Sequence, residues 1–130
     1  MNVKQVIIID DDKLSNMVSV MMLRRISEAI PVTSFTNPID GFESVKSSDH
    51  TTQAPGSVLL LLDLNMPEMT GWEFLKLFNT LDARLRSVYH VFILTSSVDD
   101  RDIELAGQHS VVEGFISKPL KIEMIKHLFG

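Results

Sequence analysis

The sequence contains no cysteine, which excludes disulfide bonds, thiolate chemistry and zinc sites built from cysteine. No apolar run approaches the roughly 20 residues that a membrane-spanning helix needs. Residues 1–5 lead directly into an apolar segment, so no signal peptide is expected. The formal net charge of -5 disfavours a surface that coats nucleic acid. These absences together predict a cytoplasmic domain that binds neither nucleic acid nor membrane.

The chain alternates short apolar segments with segments of helical spacing. Its length of 130 residues suits a single domain, which we expect to span residues 1–130. Residue type and apolar spacing predict strands at 6–9, 31–35, 58–62, 88–94 and 111–116. The intervening segments predict helices at 13–29, 38–45, 72–81 and 97–107, with a last helix opened by Pro119.

Local cap signals support several of these helix starts. Asp12 has the residue type and position of the cap of the first helix, and Asn37 precedes a proline at the start of the second. Ser97 with Asp100 three residues later resembles a capping box, with aspartate in place of glutamate. The stretch 47–57 is polar and contains Pro55 and Gly56, so we expect a loop there.

Five strand–helix units in a row predict a parallel sheet covered by helices on both faces. The flavodoxin-like (βα)5 arrangement has this plan, as a doubly wound sheet with strand order 2-1-3-4-5. In that order the first and third strands are neighbours, and the crevice between their carboxyl ends is the usual ligand site.

Polar residues stand where four of the five predicted strands end. Asp10 and Asp11 follow the first strand, Asp63 follows the apolar run 58–62, Thr95 follows the fourth strand and Lys118 the fifth. Three carboxylates in one crevice repel one another unless a cation or protons intervene. A donor set of oxygen atoms alone favours Mg²⁺ or Mn²⁺ over zinc.

Such a crevice has the chemistry of phosphoryl transfer. A carboxylate beside a bound cation can act as a nucleophile toward phosphorus and form an aspartyl phosphate. Lys118 would supply a counter-charge, while Thr95 and the backbone N–H groups after Asp63 would supply hydrogen-bond donors. Phosphoryl transfer needs mainly positioning and charge neutralisation, and this set of residues offers both.

The motifs resemble those of the receiver domain of two-component response regulators, over essentially the whole chain. The shared pattern comprises the acidic pair Asp10-Asp11 after an apolar strand and Asp63 in the string Asp-x-Asn-Met-Pro-x-x-x-Gly. Thr95-Ser96 after the fourth strand and Lys118-Pro119 after the fifth complete it. Each motif alone is weak evidence, but four in order at these spacings form a specific pattern.

The resemblance implies a role for each matching residue. Asp63 would be the phosphoacceptor, Asp11 a direct metal ligand, and Asp10 a ligand that acts partly through water. The backbone carbonyl of Asn65 would complete the protein ligands. Thr95 and Lys118 would bind the phosphoryl oxygens. Phe115 stands at the position of the family's aromatic switch residue, and the Lys118–Pro119 bond is expected to be cis.

The resemblance also implies the function and partners. Such a domain takes a phosphoryl group from a sensor histidine kinase or a histidine phosphotransfer protein, then signals to a downstream protein target by direct contact. The contact surface would comprise the fourth helix, fifth strand and fifth helix of the (βα)5 plan, about residues 97–129. We expect a stand-alone, chemotaxis-type receiver with no output domain. It would be a monomer or weak homodimer and would catalyse only its own phosphorylation and dephosphorylation.

Other functions remain open at this stage. A receiver that docks without phosphorylation would keep the same fold. A haloacid-dehalogenase-like phosphatase also uses an aspartate after its first strand, but it requires Thr or Val where this chain has Leu14. A flavodoxin-like FMN binder needs a phosphate-binding loop after the first strand, and the acidic triplet there would repel phosphate.

The remaining distinctive residues have simpler interpretations. Trp72 and the methionines at 17, 21 and 22 are expected to pack in the core or on a helix face. Fluorescence from Trp72, which begins a helix a few residues after the site, is a hypothetical reporter of Mg²⁺ binding. The four histidines share no ligand spacing, so we assign none of them to metal or to phosphate transfer.

Overall fold

The computed structural model describes residues 2–48, 53–96 and 98–129. Five strands form one sheet: β1 (Gln5–Ile9), β2 (Val32–Phe35), β3 (Val58–Asp63), β4 (Tyr89–Thr95) and β5 (Val112–Ser117). The helices are α1 (Lys13–Ile26), α2 (Pro38–Lys46), α3 (Gly71–Phe78), α4 (Ala83–Ser87), α5 (Asp100–Gly107) and α6 (Ile122–Ile125). A 3-10 turn at Lys126–Leu128 follows α6.

The sheet is parallel throughout, in the order β2-β1-β3-β4-β5. This arrangement confirms the predicted doubly wound fold and its strand order. β3 lies in the middle, and all six of its residues are buried, as its apolar composition predicted. No helix in the described ranges is long and apolar enough to cross a membrane.

Alternate residues of the central strands pack on opposite faces of the sheet. Ile7, Ile9, Leu60 and Leu62 join the core under α2 and α3, which includes Phe74. The residues next to them in the strands pack in a second core under α1 and α6, which includes Val6, Ile8, Leu59 and Leu61. Leu23 of α1 and Ile125 of α6 belong to the same core. The period of two along each strand therefore builds both cores from one sheet.

Two predicted caps are confirmed and one is corrected. The side chain of Asp12 accepts from the backbone N–H groups of Leu14 and Ser15, and Asn37 caps α2 directly before its proline. The cap of α5 is Asp99, whose side chain accepts from the N–H of Asp102. The predicted capping residue Ser97 lies outside the described residues, as does part of the predicted loop 47–57.

Several helices differ from the sequence prediction. The last helix starts at Ile122 rather than at Pro119, because Leu120 is buried in the second core and the chain stays irregular up to Lys121. A short helix, α4, follows a cap at Asp82 in a segment with no predicted element. The helix predicted over 72–81 ends at Phe78.

The sequence predicted α1 but not which of its sides is buried. The helix buries Asn16, Ser19 and Leu23, whereas Leu14, Met17 and Met21 are 68%, 61% and 60% exposed. Of the two placements expected for these methionines, core or helix face, both lie on the helix face. The apolar residues of α1 occur on more than one side, so their spacing alone did not identify the face against the sheet.

Candidate functional site

The predicted site residues converge at the carboxyl edge of the sheet. Asp10 follows β1, Asp63 ends β3, Thr95 ends β4 and Lys118 follows β5. The neighbouring positions of β1 and β3 bring Asp10 and Asp63 together at the point where the strand order reverses. The edge thus collects carboxylates, a hydroxyl and an ammonium group from four separate parts of the sequence.

Asp10, Asp11 and Asp63 form one carboxylate cluster. Each contributes an oxygen, and these atoms lie within 4.8 Å of one another. Asp10 is fully buried and Asp63 is 5% exposed, whereas Asp11 is half-buried. Hard divalent cations such as Mg²⁺ prefer ligands of this kind, so the donor chemistry of the cluster fits such an ion.

The surroundings of Asp63 favour its protonated form. Burial is the main cause that raises the pKa of its carboxyl from 3.8 to about 6, opposed by the charge of Lys118. The negative charges of Asp10 and Asp11 raise this pKa further, while the backbone N–H of Asn65 lowers it by hydrogen bonding. A cation in the cluster would relieve the excess negative charge that disfavours ionisation of Asp63.

Lys118 connects two of these carboxylates. Its Nζ lies 2.7 Å from Oδ2 of Asp10 and 3.5 Å from Oδ1 of Asp63. Burial alone would lower the pKa of Lys118, but the hydrogen bond and the charge of Asp10, together with those of Asp63, raise it overall. The lysine side chain is therefore held as a cation at the centre of the site.

The backbone on both sides of Lys118 is fixed. Its N–H donates to the carbonyl of Thr95 at 2.8 Å, and the bond to Pro119 is cis, as expected. Thr95 itself is 2% exposed at the end of β4. The ends of β4 and β5 are thus joined directly beside the carboxylate cluster.

The first turn of α1 holds Asp10 through side chains that the sequence analysis did not select. Ser15 Oγ donates to Oδ2 of Asp10 at 2.7 Å, and the N–H of Asp12 donates to Oδ1 at 3.0 Å. Asn16 Nδ2 donates to the backbone carbonyl of Asp10 at 2.8 Å. The only sequence signal for Ser15 and Asn16 was their position within one turn of a predicted cap.

The loop after Asp63 folds back against the end of β3. The N–H of Gly71 donates to the carbonyl of Leu64 at 2.9 Å, and Thr70 forms a capping box with Glu73 at the start of α3. A Cβ atom at Gly71 would lie 2.6 Å from the backbone oxygen of Asp63. Glycine at this position therefore permits the close approach that shapes the loop beside the carboxylates.

Asn65 and Phe115 lie where the sequence placed them, in less constrained surroundings. Asn65 is exposed two positions beyond Asp63, with its N–H directed at that carboxylate. Phe115 is partly buried in β5, where it pairs with Ile93 of β4 and packs on the first core. The predicted ligand role of the Asn65 carbonyl and the switch role of Phe115 stay predictions.

The histidines that the structure describes contribute no atom to the carboxylate cluster. His109 stacks on Trp72 with ring centroids 5.8 Å apart, and its Nδ1 lies 3.1 Å from Nδ2 of Asn79. His90 pairs with Glu113 at 2.6 Å. Trp72 packs against the first core, which agrees with the packing role predicted for it.

Comparison with known proteins gives a consistent result. A family model described as the response regulator receiver domain matches residues 6–129. A response regulator receiver protein from Dyadobacter fermentans is 26% identical, with a TM-score of 0.84 over 95% of this chain and 93% of its own. A two component response regulator from Cytophaga hutchinsonii is also 26% identical, with a TM-score of 0.79 over 98% and 95% of the two chains.

A more distant structure shares the fold. The chemotaxis protein CheY4 of Vibrio cholerae is 20% identical, with a TM-score of 0.74 over 97% of this chain and 96% of that chain. The family match covers nearly the whole described chain, and the four strand-end motifs of the resemblance lie within it. The chain therefore belongs to the receiver domain family of two-component response regulators.

Proposed function

We propose that this receiver domain, over residues 1–130, is a phosphorylation-dependent switch whose phosphoacceptor is Asp63. The observation that carries the proposal is the meeting of Asp63 with Asp10, Asp11 and Lys118 in one cluster at the carboxyl edge of the sheet. A nucleophilic carboxylate, a candidate cation site and a fixed ammonium group are the parts that phosphoryl transfer needs.

In the proposed reaction, a carboxylate oxygen of Asp63 attacks the phosphorus of a phosphohistidine or of a small acyl phosphate. A new oxygen–phosphorus bond forms while the bond from phosphorus to the donor breaks, and the donor leaves with that electron pair. A bound Mg²⁺ or Mn²⁺ would supply charge neutralisation for the transferring oxygens. Asp10, Asp11, Asp63 and the carbonyl of Asn65 would hold the ion.

The chain's own donors then hold the transferred group. Lys118 Nζ is only 3.5 Å from Asp63 Oδ1, so a small movement brings it to a phosphoryl oxygen. We assign a second contact to the hydroxyl of Thr95, at the end of the neighbouring strand. Movement of Thr95 would change the space available to Phe115, the proposed switch residue, on the adjacent strand.

The proposed signalling surface comprises α5, β5 and α6, which correspond to the fourth helix, fifth strand and fifth helix of the (βα)5 plan. α5 buries none of its described residues, and Ile103 on it is 57% exposed. Because this helix buries so little of its surface, it can be displaced at a low cost in free energy when Thr95 and Lys118 move. The proposed partners are a histidine kinase or phosphotransfer protein and a downstream protein target.

Intact-mass spectrometry after incubation with Mg²⁺ and acetyl phosphate tests this proposal. The wild type should gain one phosphoryl group, and Asp63→Asn or removal of Mg²⁺ should prevent the gain. Asp12→Asn is the matched control, since Asp12 is a neighbouring acidic residue whose carboxylate caps α1. Asparagine is an equally good cap, so this variant should be labelled normally.

Three results would contradict the proposal. Folded wild-type protein that binds Mg²⁺ but neither gains mass nor binds beryllofluoride would indicate a receiver that docks without phosphorylation. Steady turnover of a phosphomonoester would indicate a phosphatase rather than a switch. Retention of labelling by Asp63→Asn would place the acceptor on another residue.

A further inference from the structure

Ser15 shares its acceptor atom with the lysine of the site. Oδ2 of Asp10 lies 2.7 Å from Ser15 Oγ and also 2.7 Å from Lys118 Nζ. The other carboxylate oxygen, Oδ1, accepts from the N–H of Asp12. A neutral donor and a charged donor therefore converge on one oxygen of a fully buried carboxylate.

The position of Ser15 is fixed by the start of α1. Oδ1 of Asp12 accepts from the N–H groups of Leu14 and Ser15 at 2.9 and 3.2 Å, which holds the first turn. Asn16 anchors the same turn to the backbone of Asp10. The helix cap thus directs Ser15 Oγ toward Asp10, and the position of this hydroxyl does not depend on Lys118.

If Lys118 Nζ moves toward a phosphoryl group on Asp63, its contact with Asp10 lengthens. In this structure its Nζ is nearer to Asp10 than to Asp63, by 2.7 against 3.5 Å. A shift toward Asp63 removes a donor from a carboxylate that is 0% exposed. Loss of a charged donor destabilises a buried carboxylate, and this cost opposes the shift.

We propose that Ser15 is a positioning residue that keeps Asp10 hydrogen-bonded when Lys118 moves to the phosphorylated Asp63. The proposal rests on the function proposed above, because it requires Lys118 to bind the phosphoryl group. The rearrangement makes and breaks hydrogen bonds only. Without the serine hydroxyl, Asp10 would depend more strongly on Lys118 and would retain it.

The test compares Ser15→Ala with the wild type, with Ser15→Thr and with Ser19→Ala. Threonine keeps the hydroxyl, and Ser19 is a buried serine one turn further along α1, so both should behave as wild type. Isothermal titration calorimetry measures Mg²⁺ affinity first and beryllofluoride affinity in saturating Mg²⁺ second. We expect Ser15→Ala to weaken beryllofluoride binding about tenfold, the scale of one hydrogen bond to a charged group.

The same variants show whether Ser15 acts together with Lys118 or affects only the metal site. The Mg²⁺ affinity of Ser15→Ala should change by less than its beryllofluoride affinity. Rates of labelling by acetyl phosphate, measured over hours by intact mass, complete a double-mutant cycle with Lys118→Ala. Ser15→Ala should slow labelling about tenfold in the wild-type background and have little effect in the Lys118→Ala background.

Three outcomes would overturn the inference. The first is beryllofluoride binding by Ser15→Ala at wild-type affinity. The second is a loss of equal size in the Lys118→Ala background, which would limit Ser15 to a direct effect on Asp10. The third is a failure of folded wild type to bind beryllofluoride or accept phosphate, which would refute the proposed function itself. Melting temperatures of all variants separate these results from loss of folding.

Discussion

Replacing the buried carboxylate of Asp63 by its neutral isostere should stabilise the protein at neutral pH. In Asp63→Asn the side chain keeps its shape but no longer has to ionise. Burial is the main reason that the pKa of Asp63 rises from 3.8 to about 6, so the folded state binds its proton more tightly than the unfolded state does. Ionisation therefore costs folding free energy once the pH exceeds the pKa of the unfolded chain.

The sign and size of the effect follow from these two pKa values. The contribution of the Asp63 carboxyl to the free energy of unfolding is greatest below pH 3.8, falls as the pH rises, and stays constant above about pH 6. At about 1.4 kcal/mol for each pKa unit, the ionised carboxylate costs the fold about 3 kcal/mol above pH 6. We therefore expect Asp63→Asn to be more stable than wild type by roughly 2–3 kcal/mol at pH 7.5.

Urea unfolding in EDTA at pH 7.5 and at pH 4.5 measures this difference. The gain in free energy of unfolding of Asp63→Asn over wild type should be large at pH 7.5 and should fall to about 1 kcal/mol at pH 4.5. Asp12→Asn, at an exposed helix cap, should show little change at either pH. Adding Mg²⁺ should narrow the gap, because the ion binds the wild-type cluster and stabilises it. An advantage that is absent, or equal at both pH values, would refute the electrostatic reasoning.

Three further predictions concern other residues of the site and its surroundings. Lys118→Ala should slow labelling by acetyl phosphate about 100-fold, as measured by intact mass, because it removes the ammonium group from the reacting oxygens. Gly71→Ala should cost about 1–3 kcal/mol in urea unfolding because its Cβ would meet a backbone oxygen at 2.6 Å, whereas Gly107→Ala, with open space around it, should cost nothing. Burial, helped by the charge of Lys76, lowers the pKa of His109, so the fluorescence of the stacked Trp72 should change with pH at a midpoint below 6.5. A midpoint at or above pH 6.5 would contradict this.

The sequence was most informative where a local pattern has one structural meaning. A short apolar run followed by a carboxylate and loop residues, as at Asp63, predicts a buried strand with a polar end. The alternation of strands and helices predicts a doubly wound parallel sheet, and the flavodoxin-like order 2-1-3-4-5 places the end of β1 beside the end of β3. For that reason the sequence alone predicts one shared site for Asp10, Asp11, Asp63, Thr95 and Lys118.

The sequence was least informative where the outcome depends on packing between distant segments. Met17 and Met21 lie on an exposed side of α1, while the polar residues Asn16 and Ser19 are buried, because contacts with the sheet decide the face. Ser15 carried no motif, and its value follows only from its distance to Asp10. The spacing of residue types in a single sequence does not predict hydrogen bonds between side chains on neighbouring elements.

The unequal burial of the strands has a consequence for amide hydrogen exchange. β3 is buried along its whole length between β1 and β4, whereas edge strand β5 is only partly buried and α5 buries none of its described residues. Amides of β3 should therefore exchange only through global unfolding, while those of α5 and β5 exchange through local opening. The proposed acceptor, Asp63, would then lie in the slowest-exchanging part of the molecule, and the proposed signalling surface in one of the fastest.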